Sequence, residues 1–135
     1  MNTRRGIGRS LKPFRRPLLW SGLWCLCVSV VVVASLMPVP DLGQLPSGTD
    51  KVEHFLAYAA LAAGAVQLYP RWRSLLSVGV ALVLMGIGLE YAQGALTTHR
   101  MMDSMDALAN TLGVIAGFGT QLTPWRDLLL RFDSR

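Results

Sequence analysis

Glu90 and Gln93 sit inside the otherwise apolar stretch "GIGLEYAQG" (86–94), and they pose the first chemical question. A carboxylate in hydrocarbon is costly, so it needs a partner, a water-filled cavity or a task. Three further groups of polar residues stand near apolar runs: Asp50, Lys51, Glu53 and His54; Arg100; and Asp103, Asp106 and Asn110. Lys51 and Arg100 suit phosphate or carboxylate ligands, and Asn110 suits a hydroxyl or amine. His54 could move a proton, oriented by Asp50 or Glu90, with Asp106 as a second carboxylate. Catalytic candidates are therefore His54, Glu90 and Asp106. No Ser or Cys nucleophile stands beside a base and no His-Glu-x-x-His motif occurs, so neither cofactor nor metal is expected; an ion held by His54 and carboxylates is the minor variant.

These residues need a scaffold, and composition indicates which. Apolar residues make up 52% of the 135, charged residues only 16%, and mean hydropathy is +0.40. That balance belongs to membrane proteins. Four apolar segments follow one another at about 18–37, 52–69, 74–93 and 104–122, each near the length that crosses a bilayer. Residues 1–17 form a basic N-terminal segment, and 123–135 a short tail that could lie as an amphipathic helix on the membrane surface. A signal peptide competes for the first segment. The segment is longer than a usual signal core and no clear cleavage pattern follows, so a retained helix is the reading adopted. Cys25 and Cys27, two apart in an apolar run, read as inert thiols.

The net charge of +5 raises the question of nucleic acid, but its distribution answers otherwise. Eleven of the thirteen Lys and Arg fall in the N-terminus, the 70–73 turn and the tail, whereas only Lys51 and Arg100 lie in the alternate loops. The positive-inside rule puts both termini in the cytoplasm. The expected fold is thus an all-α integral membrane protein with four transmembrane helices, in a bacterial inner membrane.

With this topology six of the eight acids (Asp41, Asp50, Glu53, Glu90, Asp103, Asp106) share the outer side with His54, Gln93, Arg100 and Asn110. Asp50, His54 and Tyr58 recur every four residues; Gly86, Glu90 and Gln93 share a face; Asp103, Asp106, Asn110, Gly113 and Gly117 form another stripe. Small residues on the polar face favour close helix contacts, so these stripes should meet neighbouring helices. Asp50, Asp103 and Asp106 could equally be helix N-terminal acids, and Asn110 an interhelical hydrogen bonder. Glu90 cannot be a cap, being at the C-terminal end of its helix, and Lys51, Arg100 or His54 is its expected partner.

In order and spacing these pieces resemble the VanZ-like family of small bacterial membrane proteins. "DKVEHFLAY" (50–58) looks like its Asp-Lys-x-x-His, "EYAQ" (90–93) like its Glu-x-x-Gln, and "RMMDSMDALANTLGVIAG" (100–117) like its Arg, Asp, Asn and Gly run. The resemblance covers roughly 36–120 and marks Asp50, Lys51, His54, Glu90, Gln93, Arg100, Asp106 and Asn110 as motif positions. It implies a cell-envelope protein associated with low-level resistance to the lipoglycopeptide teicoplanin. Three functions follow: an outer-leaflet site engaging a lipid headgroup, cell-wall lipid intermediate or lipoglycopeptide; an intramembrane lipid-modifying enzyme; and, least favoured because the inner half lacks ionisable residues, a small proton-coupled transporter. The bilayer is the one firm partner expected, and nucleic acid is not.

Overall fold

The computed structural model describes residues 10–38, 43 and 45–135, so Asp41 and the arginines before residue 10 lie outside the described residues. Five α-helices follow in order: α1 (Pro17–Leu36), α2 (Thr49–Leu68), α3 (Trp72–Leu96), α4 (Ser104–Phe118) and α5 (Leu128–Asp133). Two 3-10 turns, Gly119–Leu122 and Pro124–Asp127, join α4 to α5. No strand occurs among the described residues. Two helices, α1 and α3, are long and apolar enough to cross a membrane, with mean hydropathy of 2.1 and 1.9 over their best windows.

The helix bounds differ from the expected ones in ways that matter for the site. α2 begins at Thr49, three residues before 52, because Gly48 adopts a left-handed conformation (φ +86) and turns the chain into the helix. Asp50 and Lys51 are therefore helical, like His54. α3 continues to Leu96, beyond 93, so Glu90 and Gln93 are followed by more helix. α4 tightens into 3-10 geometry from Gly119 to Leu122. The tail is partly helical, as α5.

α2 and α4 form the closest pair. A Cβ on Gly113 would collide with the Phe55 carbonyl oxygen, and one on Gly117 with the Ala59 carbonyl oxygen and with Ala62 Cβ at 2.6 Å. Only glycine lets these backbones approach so far, as the small-residue stripe required. Tyr58, Leu61 and Ala62 of α2, Leu82 of α3 and Val114 of α4 form the core, continued by Ala65, Val66 and Leu75. α1 sits outside this core with no buried residue, and Cys25 and Cys27 on it are free and exposed. It is held by the Trp24 indole, which donates to the Leu61 carbonyl at 2.9 Å, and by Gln93 Nε2, which donates to the Ser35 carbonyl at 2.8 Å.

The end of the bundle remote from the acidic cluster is also tied. Lys12 pairs with Asp127 at 2.9 Å and its backbone N–H donates to the Leu68 carbonyl. The Lys12 ammonium holds the Asp127 carboxyl below the usual carboxylate range. Asp133 accepts from the Trp20 indole at 2.8 Å and from the Arg15 N–H, and the Gln67 amide bridges to Trp125 O and Leu129 N. The segment before α1 is thereby fastened to the tail.

Candidate functional site

The start of α2, the end of α3 and the start of α4 meet at one end of the bundle, and each brings part of the polar cluster. On α2, exposure falls inward along a single face: Asp50 is exposed, His54 largely covered and Tyr58 buried. On α4, Asp103 is the N-cap, accepting from the Met105 N–H at 2.8 Å. Asp106 and Asn110, one and two turns further, are buried. On α3, Glu90 and Gln93 are buried at 2% and 1% exposure.

Lys51 organises the rim. Its ammonium lies 2.9 Å from Asp103, 3.3 Å from Asp106 and 3.4 Å from Asp50. The bond from Lys51 holds the Asp103 carboxyl below its ordinary range, aided by the Met105 N–H. One layer deeper, His54 stands among Asn110, Asp106 and Glu90. Nδ1 is 3.0 Å from Asn110 Oδ1, Nε2 is 3.6 Å from Asp106 Oδ2, and Nδ1 is 4.0 Å from Glu90 Oε1. Asp106 thus turns one oxygen to the Lys51 rim and the other to the histidine.

Glu90 finds a partner that side-chain reasoning missed. Its Oε2 accepts the backbone N–H of Asp103 at 3.2 Å, so it holds the entry to α4 across the helix interface. Oε1 is buried and accepts no hydrogen bond from the described residues. Among the described residues neither Lys51 nor Arg100 forms an ion pair with Glu90; of the three expected partners, His54 alone comes within 4.0 Å. Nor does a hydrogen bond or ion pair join His54 to Asp50 among those residues; its carboxylate neighbours are Asp106 and Glu90.

A cavity of about 660 Å³ opens beside the cluster, bounded by Asp50, Glu53, Gln93, Arg100, Asp103 and Asp106 and by the apolar Ala34, Leu45 and Met102. A smaller one of about 170 Å³ runs between α1 and α2, past His54 and Tyr58. Arg100 borders both, and its Nε is buried without a hydrogen-bond acceptor among the described residues. The Tyr58 hydroxyl is likewise buried and unbonded. Tyr58, His99 and Glu53 were not among the motif positions; the four-residue step from His54 was the only sequence signal for Tyr58.

Of the eight motif positions, Lys51, Asp106, His54, Asn110 and Glu90 form one connected network. Asp50 lies on its exposed rim. Gln93 faces α1, and Arg100 lines the cavity with no ion pair among the described residues. Among the described residues two groups could hold a cation: one atom each from His54, Glu90 and Asp106 lie within 4.8 Å of one another, Asp50, Asp103 and Asp106 do the same, and Asp106 is common to both. Compared with protein-family models, with curated proteins and with solved structures, the chain matches none.

Proposed function

We propose that this chain is a VanZ-like protein of the bacterial inner membrane, spanning it with α1 to α4 and keeping both termini in the cytoplasm. Its polar cluster then faces outward and engages the charged head of an amphiphile at the outer leaflet. A lipid headgroup, a cell-wall lipid intermediate or a lipoglycopeptide such as teicoplanin has that chemistry. Lengths support the span count: twenty helical residues in α2 rise about 30 Å, and α4 with its 3-10 extension reaches a similar length. The cationic excess at the opposite end supports the orientation.

The observation that carries this reading is Arg100. A guanidinium with a buried, unbonded Nε at the wall of a 660 Å³ cavity is prepared for an anionic oxygen. The apolar part of the wall suits the first methylenes of a chain. A second reading, an intramembrane lipid-modifying enzyme, rests on His54 standing between Asp106 and Glu90. Expressing the chain in a sensitive host separates the two. Raised teicoplanin tolerance with an unchanged lipid profile supports the binder, an altered lipid species supports the enzyme, and neither effect contradicts both.

A further inference from the structure

The inner carboxylates are left short of positive charge. Lys51 is shared by Asp50, Asp103 and Asp106, and Arg100 makes no ion pair among the described residues. Glu90 lies below this layer at 2% exposure, with Oε1 unbonded and turned toward His54. A buried carboxylate oxygen without a donor is destabilising, so this atom calls for a cation or a proton donor. The outer aspartate group already has its cation in Lys51. The inner group touches that cation only through Asp106 Oδ1 at 3.3 Å, and among the described residues Glu90 pairs with neither Lys51 nor Arg100.

We propose that His54, Glu90 and Asp106 bind one divalent transition-metal ion. The histidine is set up for it: with Nδ1–H donated to Asn110 Oδ1 at 3.0 Å, Nε2 keeps its lone pair toward Asp106 Oδ2 at 3.6 Å, and Glu90 Oε1, 4.0 Å from Nδ1, turns toward the Nε2 side to join the same ion. A ligating imidazole ordinarily gives its other N–H to such an acceptor, which fixes tautomer and ring plane. One imidazole with two carboxylates is a mixed nitrogen and oxygen set, suited to Zn2+ or Mn2+ more than to Mg2+ or Ca2+. The two carboxylates neutralise the ion. Three protein ligands leave coordination positions open toward the cavities that Asp106 and His54 line. If the outer-leaflet reading also holds, an amphiphile's phosphate or carboxylate could take such a position, but ion binding does not depend on it.

The test is Zn2+ titration of the full chain, chelator-stripped in detergent micelles, by calorimetry and by the Zn2+-dependent rise in melting temperature. Wild-type protein should bind a single Zn2+ and melt higher with it; Glu90→Gln and His54→Gln should each weaken binding at least about tenfold. Glu90→Gln retains an acceptor for the Asp103 N–H, which keeps the α3–α4 contact. Absence of binding by the wild type overturns the proposal. So does binding that falls in Asp50→Asn and persists in Glu90→Gln, which assigns the ion to the outer group. Should a variant fail to fold, zinc-edge absorption on the wild type decides: an imidazole with oxygen neighbours near ~2.0–2.1 Å supports the site, and sulfur ligation overturns it. A chain that binds amphiphile but not Zn2+ refutes this inference alone.

Discussion

Glu90 Oε2 receives the backbone N–H of Asp103 at 3.2 Å, so the one acid of α3 fixes where α4 begins. Asp103 in turn caps α4 and holds Lys51 of α2. Three helix ends are thereby locked through two adjacent layers of polar contacts, a rim around Lys51 and a deeper layer around His54.

Replacing Glu90 by Gln separates structure from function. The amide keeps an oxygen for the Asp103 N–H and removes a buried carboxyl that, among the described residues, pairs with neither Lys51 nor Arg100. The folded protein should melt no lower than wild type, while ligand engagement falls at least about tenfold, or 1.4 kcal/mol. Melting curves and the host tolerance assay measure the two sides. Equal loss of both would make Glu90 purely structural.

Acid sensitivity should be traceable to two carboxylates at opposite ends of the bundle. Asp103 is held low by Lys51 and Asp127 by Lys12. A depressed carboxyl lends stability that is full above its unfolded value, about 3.9, and is lost as pH falls through its lower folded value. Melting temperature should therefore drop on going from pH 7 toward pH 2. Lys51→Met should flatten part of that drop, and Lys12→Met another part. An unchanged acid profile in both variants would show that these pairs do not stabilise the fold.

Two pairs of helical glycines contrast. Gly113→Ala and Gly117→Ala press a methyl into the α2 backbone and should cost about 1–3 kcal/mol each, or prevent folding. Gly22 and Gly88, inside α1 and α3, have nothing within 4 Å of an added Cβ. Alanine there should instead stabilise by about 0.5–1 kcal/mol. Thermal melts of the four variants check the contrast, and a uniform response would contradict the α2–α4 packing.

Trp24 is the inner hold on α1. Trp24→Phe keeps the ring contact at Gly64 and removes the bond to the Leu61 carbonyl, a loss of about 1 kcal/mol. Raised protease sensitivity of α1 would be the readout, and wild-type resistance would place its anchoring elsewhere.

How much of this was written in the sequence depends on the kind of contact. Helices declared themselves through long apolar runs, and Gly113 and Gly117 through their four-residue step, because both signals are local. The clustering of His54, Glu90 and Asp106 followed from counting helix ends. The partners within the cluster did not follow. Lys51 goes to three aspartates and leaves Glu90, whose Oε2 is satisfied by a backbone N–H, a donor that every residue but proline carries and no spacing reveals. Helix bounds shifted by a few residues at Thr49 and Leu96, where Gly48 geometry and helix continuation outweighed the hydrophobic edge. The clasp of Lys12, Asp127 and Asp133 joins residues over a hundred positions apart, and depends on how the tail folds back.

Sidedness of the cluster is the claim on which the proposed function stands, and cysteine labelling measures it. Cys25 and Cys27 are first replaced by Ser, and single cysteines are then placed at Ser47 and His99, beside the cluster, and at Arg73, at the opposite end. A membrane-impermeant maleimide applied to intact cells should label positions 47 and 99 and reach 73 only after permeabilisation. Labelling of 73 alone in intact cells would turn the cavity toward the cytoplasm and contradict the account.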